Sequence, residues 1–324
     1  MQFRLSLLLL HLALSIIVNA SDRGDAEGAK LLQQAQQKSD LRELPTFRMK
    51  ANLKIQVKGK SLDGSYTSLW NGPAQWREEI SFPGYSEILI GVKDVVSVKR
   101  NLDFVPLQIH QIRSVLSYGR SDFQIRSDEK IAGVRDRKVN DINVRCVDLV
   151  QHVEQDHHRY ICVDPSTGAL IREHPFHDRE LTPLGTKLFP RFLSTSEEGK
   201  IVAEAEITEL TTPEQIPASA FDTPDGAISK PGCSRPSVGR LVQRVNPEYP
   251  SLDRMARREG TVSIYAVIGT DGELHKLHVV SGASPTMDQS SLDAVQHWRY
   301  EPFKCGDVPV EVETVIQVNY QLQH

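Results

Sequence analysis

The stretch "FRMKANLKIQVK" (47–58) restricts the fold more than any other part of this chain. Phe47, Met49, Ala51, Leu53, Ile55 and Val57 alternate without a fault against Arg48, Lys50, Asn52, Lys54, Gln56 and Lys58. Successive side chains of a strand point to opposite faces, so this period of two predicts one long strand with an apolar face and a wet face. Such a strand belongs in an antiparallel sheet that is covered on one side only. Shorter runs follow, "GSYTSLW", "QWREEISF", "YSEILIGV" and "DVVSVKRN", divided by Gly, Pro and Asn, which is the pattern of a meander.

Helical spacing precedes and interrupts that sheet. "AEGAKLLQQAQQKSDLREL" carries Leu31, Leu32, Ala35, Leu41 and Leu44 among polar residues and ends at Pro45, and "PLQIHQIRSVLS" carries Leu107, Ile112, Val115 and Leu116. Further strands are expected in 138–152, 157–174 and 200–210, which gives about eight strands and two helices for residues 21–225. Residues 226–238 are poor in large apolar groups and rich in Pro and Gly, so they read as a linker to a second domain, 239–324. There "YPSLDRMARREG" predicts a short helix after Pro250 that Gly260 ends, and Asp271-Gly272 predicts a two-residue hairpin loop. A helix from Pro285 with Leu292, Val295 and Trp298 on one face follows, then a closing strand that alternates from Val310 to Tyr320. The expected fold class is α+β, with helices on one face of a small three-stranded sheet.

The first twenty residues have one positive charge, Arg4, an apolar run of 14 residues from Leu5 to Val18, and the small-residue pattern Val18-Asn19-Ala20. Residues 1–20 therefore read as a signal peptide, too short for the roughly 20 residues that cross a bilayer, and mark the protein as exported, which for the resemblances below implies the periplasm. If the segment stays attached, the protein is membrane-anchored. Loss of Arg4 takes the 38 basic residues to 37 against 42 acidic ones, a net charge of −5 with no basic block, so nucleic acid is not an expected partner.

Cys146, Cys162, Cys233 and Cys305 are even in number in an exported chain, where disulfides persist. Three pairings are open, and so are four buried thiols. If "NVRCVDLV" and "RYICVD" form a hairpin turning near Gln155, Cys146 stands opposite Cys162, which leaves Cys233 for Cys305.

The C-terminal blocks "NPEYP" (246–250), "REGTV" (258–262), "DGEL" (271–274), "VVSG" (279–282), "LDAVQHWRYEP" (292–302) and "GDVPV" (306–310) resemble, in order and spacing, the C-terminal domain of the TonB family. The resemblance implies capture of an extended peptide from an outer-membrane receptor or other envelope protein alongside the last strand, with Val310, Val312, Thr314, Ile316, Val318 and Tyr320 as the strand's alternating face. Energy-transducing members also have an uncleaved anchor with a Ser and a His four residues apart. Here Ser6 and His11 are five apart, and Thr261 stands where many members have Gln, so a motor-driven transducer is only an alternative reading.

Residues 46–58, "IAGVRDRKV" (131–139), "CVDPSTGALIRE" (162–173) and "IPASAFDTPDGA" (216–227) are similar to the LolA-like periplasmic carriers. That resemblance implies a curled antiparallel half-barrel over 21–225. Its apolar cavity for a lipid or acyl ligand would be lined by Phe47, Met49, Leu53, Ile55, Val57, Trp70 and Trp76. Plain core packing is the competing reading of the same stripe.

Catalytic spacings are absent or bare. Ser127-x-x-Lys130 lacks its companion motifs, His174, His177 and Asp178 lie in a Pro-containing polar loop, His157-His158 flank a turn, and His275 and His278 are expected on opposite faces of a strand. The reading is a binding protein without cofactor or metal, not an enzyme.

Overall fold

The computed structural model describes residues 20–322 except 58, 120–122, 124, 126–128, 152–157, 234–235 and 238. The leader, Ser127 and the turn near Gln155 lie outside the described residues. The chain divides into two compact units, Met1–Gln36 with Phe123–Ile171, and Gln37–Asp122 with Arg172–His324.

In the second unit the alternating stretch is β1 (Phe47–Val57), with Phe47, Met49, Ala51, Leu53 and Ile55 buried as the sequence pattern requires. It pairs antiparallel with β2 (Lys60–Trp70), and the meander continues through β3 (Gln75–Phe82), β4 (Tyr85–Val92) and β5 (Val95–Arg100). Four of these strands match the runs read from the sequence. An α-helix over Leu107–Leu116 then buries Ile109, Ile112, Val115 and Leu116 on the sheet.

The first unit is a smaller sheet, β6 (Glu129–Val139), β7 (Ile142–Gln151), β8 (His158–Val163) and β9 (Leu170–Ile171), in that order. Helix α1 (Ala20–Ser39) precedes it in the chain, and its Gly28 approaches β6 and β7 so closely that a Cβ would lie 2.9 Å from Ile131 Cγ2. The Leu107–Leu116 helix is accordingly α2. Residues 138–152, expected as one strand, are broken at Asn140 and Asp141, whose φ angles of 48° and 66° suit the two-residue hairpin loop joining β6 to β7. Cys146 stands directly opposite Cys162 in the β7–β8 pair, and the two are linked.

The large sheet resumes with β10 (Phe176–Leu184), β11 (Lys187–Glu197) and β12 (Lys200–Thr211), giving the nine-stranded order β10-β11-β12-β1-β2-β3-β4-β5-β13. The sheet is a curled antiparallel half-barrel, and α2 packs on β1, β11 and β12. Strands β10 and β11 were not foreseen. Pro190 sits in β11 where only β10 pairs with it, so its missing N–H breaks no ladder. Strand β13 (Ile228–Pro231) lies inside the stretch expected as a linker and pairs with β5.

The C-terminal part has the expected layers, a sheet of order β16-β15-β20 with helices on one face. It contains β14 (Leu241–Gln243), α3 (Ser251–Met255), β15 (Gly260–Ile268), β16 (Leu274–Ser281), α4 (Pro285–Val295), β17 (Arg299–Tyr300), β18 (Lys304–Cys305), β19 (Val308–Pro309) and β20 (Val312–Tyr320). Ser284 caps α4 by accepting from Met287 N at 3.2 Å, with Pro285 in the first turn. Val262, Ile264, Ala266, Ile268, Met287, Val295, Trp298, Ile316, Val318 and Tyr320 form the core under α4. A disulfide ties Cys233, just beyond β13, to Cys305 in β18.

Two local expectations are corrected. Helix α3 stops at Met255, followed by Arg257 at φ 49°, and Gly260 is already in β15, where a Cβ would lie 2.8 Å from Ala283 Cβ. The hairpin loop has three residues, because Gly269 N donates to Glu273 O at 2.8 Å and Gly272 N to Gly269 O at 3.0 Å. Gly272 supplies the positive φ of 80°, and a Cβ there would lie 2.0 Å from Tyr300 O. Gly272→Ala should therefore destabilise the protein by more than the ~1 kcal/mol of an ordinary Gly→Ala strain. Urea denaturation showing an unchanged midpoint would contradict this.

Candidate functional site

β20 is an edge strand: β15 pairs with it along nine residues, Gly260 with Tyr320 through Ile268 with Val312, and no strand pairs with its other edge among the described residues. Its ladder has no register shift. β16, at the opposite edge, is interrupted twice against β15, and Lys276 there takes a φ of 51°. Bulges blunt an edge against further pairing. β20 is the edge without a bulge.

The six residues expected along the strand divide by role. Ile316, Val318 and Tyr320 are buried in the core under α4, the Tyr320 hydroxyl donates to Met287 O at 3.2 Å, Val310 is buried just before the strand, and Val312 and Thr314 are half-buried. Gln317 and Asn319 are the exposed side chains, so the free surface of β20 is its backbone edge and these two amides.

The other face of this sheet is covered as well. Ser263, Tyr265 and Val267 of β15 are 3%, 1% and 6% exposed, so the strand is buried on both sides. What covers it comes from the half-barrel: Arg100 at the end of β5, Asp103 and Phe104 after it, and His110 of α2. Phe104 stacks on the His278 ring with centroids 4.7 Å apart, Asp103 lies 3.4 Å from His278 Nε2, and the His110 ring lies 6.2 Å from that of Tyr265. His275 and His278 share this face, contrary to expectation, because the bulge at Lys276 sets them opposite Val267 and Tyr265.

A charge cluster crosses that seam. Glu87 of β4, with its side chain 1% exposed, accepts from Arg100 Nη2 at 2.6 Å and from Arg113 of α2. Arg100 also donates to Glu313 Oε2 of β20 at 3.1 Å, and Lys230 of β13 reaches Glu313 Oε1 at 3.1 Å. Beside it the Tyr85 hydroxyl and His110 Nε2 are buried without a hydrogen-bond partner among the described residues. Burial and then the Arg113 charge push His110 down to about 4, so it is neutral at neutral pH. Burial pushes Glu313 up, but Lys230 and Arg100 outweigh it and hold the carboxyl down at about 2. None of these partners adjoins another in the chain, and no motif announced them.

The expected cavity residues also separate. Trp70 and Trp76 line a cavity of about 640 Å³ between α2 and the sheet, with Tyr66, Ile80, Leu89, Leu116, Arg42, Glu78 and Arg113 among its walls. Phe47 and Met49 line a neighbouring gap of about 20 Å³. Leu53 lines an open groove elsewhere, Ile55 is buried in the sheet's packing and Val57 is half-buried. Of the other titratable groups weighed in the sequence, Asp178 is paired with Arg172 at 2.6 Å, His177 Nε2 lies 3.2 Å from Ser196 Oγ, and His158 Nδ1 lies 2.6 Å from Asp148.

Residues 245–322 match the family model described as Gram-negative bacterial TonB protein C-terminal. Protein TonB of Klebsiella pneumoniae is 31% identical over 91 residues, which are 28% of this chain and 37% of that protein. Protein TonB of Vibrio cholerae is 28% identical over 114 residues, 35% of this chain and 46% of that protein. The chain thus spans less than half the length of either relative. A crystal structure of a LolA superfamily protein from Nitrosomonas europaea is similar with a TM-score of 0.40 and 10% identity, over 60% of this chain and 97% of that one.

The Glu313 shift fixes a pH dependence. A carboxyl held below its ordinary 4.5 contributes stability that is complete above that value and is lost as the pH falls toward about 2. The urea stability of wild type should exceed that of Glu313→Gln by a constant amount above pH ~5, at most about 3 kcal/mol, and the gap should close toward pH ~2. A gap that persists there would contradict the assignment.

Proposed function

We propose that this is an exported periplasmic binding protein that docks on an outer-membrane receptor or another envelope protein by strand addition at the free edge of β20, in the service of transport across the outer membrane. The supporting observation is the contrast between the two edges of the TonB-type sheet. β20 offers nine regular residues, whereas β16 is bulged twice. An added strand gains affinity from backbone hydrogen bonds, and its side chains meet Gln317 and Asn319, the exposed positions of β20. The match of residues 245–322 to the TonB C-terminal model supports the same partner class. The activity is binding, not catalysis, and calls for neither cofactor nor metal.

A second reading is favoured by the cavity of about 640 Å³, whose Trp70 and Trp76 walls suit a lipid or acyl chain carried by the half-barrel. The two readings are compatible, since the cavity and the β20 edge are different surfaces.

Titrating the isotopically labelled full-length chain with a synthetic receptor-box peptide should shift the amide signals of residues 312–320 first. Shifts confined to 274–281, or none at millimolar peptide, would remove the docking proposal.

A further inference from the structure

Arg113 belongs to two surfaces at once. Its guanidinium pairs with Glu87, and the same side chain, 28% exposed, forms part of the cavity wall. Glu87 divides its oxygens, Oε2 to Arg113 and Oε1 to Arg100. Arg100 then divides its donors between Glu87 and Glu313, so that the cavity wall and β20 are the two ends of one alternating series, Arg113, Glu87, Arg100, Glu313, closed by Lys230.

Such a series shares a fixed supply of partners. Glu87 is too buried to turn to water, so any loss at Arg113 must be made up at Arg100. An anion beside Arg113 competes with Glu87 for that guanidinium, Glu87 then draws Arg100 toward itself, and Glu313 is left with Lys230 alone. The cavity offers such a ligand the Arg113 side chain in its wall, and the tryptophan faces accept an apolar tail.

We propose that an anionic amphiphile in the cavity and the seating of the TonB-type sheet on the half-barrel are linked through Glu87, so that binding at Arg113 loosens the hold on β20. The proposal rests on the cavity reading above for its occupant, and it adds a means by which the half-barrel regulates the docking strand. Linkage is reciprocal, so whatever frees Arg100 from Glu313 must also strengthen anion binding by the same factor. The two ends of the series make opposite predictions. Without Glu313, Arg100 turns wholly to Glu87 and releases Arg113 to the ligand. Without Lys230, Glu313 pulls harder on Arg100, Glu87 tightens on Arg113, and the ligand is disfavoured.

The test uses the full-length chain with decanoate as probe and 1-decanol as its uncharged counterpart, followed by tryptophan fluorescence and amide hydrogen exchange. Decanoate should quench the fluorescence and raise exchange in residues 312–316 and 263–267 several-fold, while decanol binds without that rise. Glu313→Gln should bind decanoate about 5-fold or more tighter, within the usual range of coupling, and Lys230→Gln should bind it more weakly. Lys230 is 34% exposed at the rim, so its variant serves even where Glu313→Gln folds poorly. Equal affinities in wild type and both variants, or the same exchange response to decanol, would overturn the linkage and leave the cavity reading standing. No decanoate binding at all would overturn both. The peptide titration at β20 is independent of either outcome.

Discussion

A carboxylate that is almost fully buried must be paired, and Glu87 is paired twice. Stripping one partner from such a group costs roughly 3–5 kcal/mol, because the charge that remains has no water to turn to. Much of the second unit follows from that constraint. Arg113 ties α2 to β4 of the sheet, and Arg100 is held at the end of β5, where it can reach Tyr265 Oη at 3.5 Å as well as Glu313. The C-terminal sheet is thereby held by its second face. A Cys233–Cys305 disulfide holds the same domain at its entrance, next to β13. The domain is seated on the half-barrel rather than trailing from it.

That seating explains a pattern in β15 that a one-sided sheet would not show. A strand with one wet face alternates, as β1 does. "VSIYAVI" (262–268) does not alternate, and every residue in it is buried. Near-continuous apolar runs mark strands covered on both faces. The one polar residue of the run, Ser263, and the one hydroxyl of its aromatic ring, at Tyr265, both lie on the face toward the half-barrel, where Arg100 supplies a donor.

The fold was legible wherever local chemistry decides it. The period of two in β1, the Gly, Pro and Asn breaks of the meander, Gly272 in its turn and Trp298 in its core all act over a few residues. The hairpin register that opposes Cys146 to Cys162 is local too. β10 and β11 were hidden for a physical reason, since "FHDRELTPL" is the polar edge of the sheet and Pro190 argues against a strand unless its neighbour's extent is known. β13 was hidden because Ile228, Ser229 and Pro231 are exposed and give no burial pattern. The charge cluster was not legible at all: Arg100 and Glu313 are 213 residues apart, and a single acidic residue in a strand looks the same whether it blunts an edge or anchors a domain.

Glu313 shows how the edge and the seam depend on one another. Charges on an edge strand ordinarily repel further pairing, and Glu311 and Glu313 stand at the start of β20 where such a defence would be placed. Glu313 is directed elsewhere, into Arg100 and Lys230. Its partner in the ladder is Val267, on the face that meets the half-barrel, so its charge is neutralised across the seam and is not presented along the edge. Within β20 the exposed side chains are Gln317 and Asn319, two neutral amides on an unbroken backbone, and the exposed Glu311 stands just before the strand. A sheet that bulges one edge twice and keeps the other regular along nine residues is asymmetric in the one property that strand addition requires.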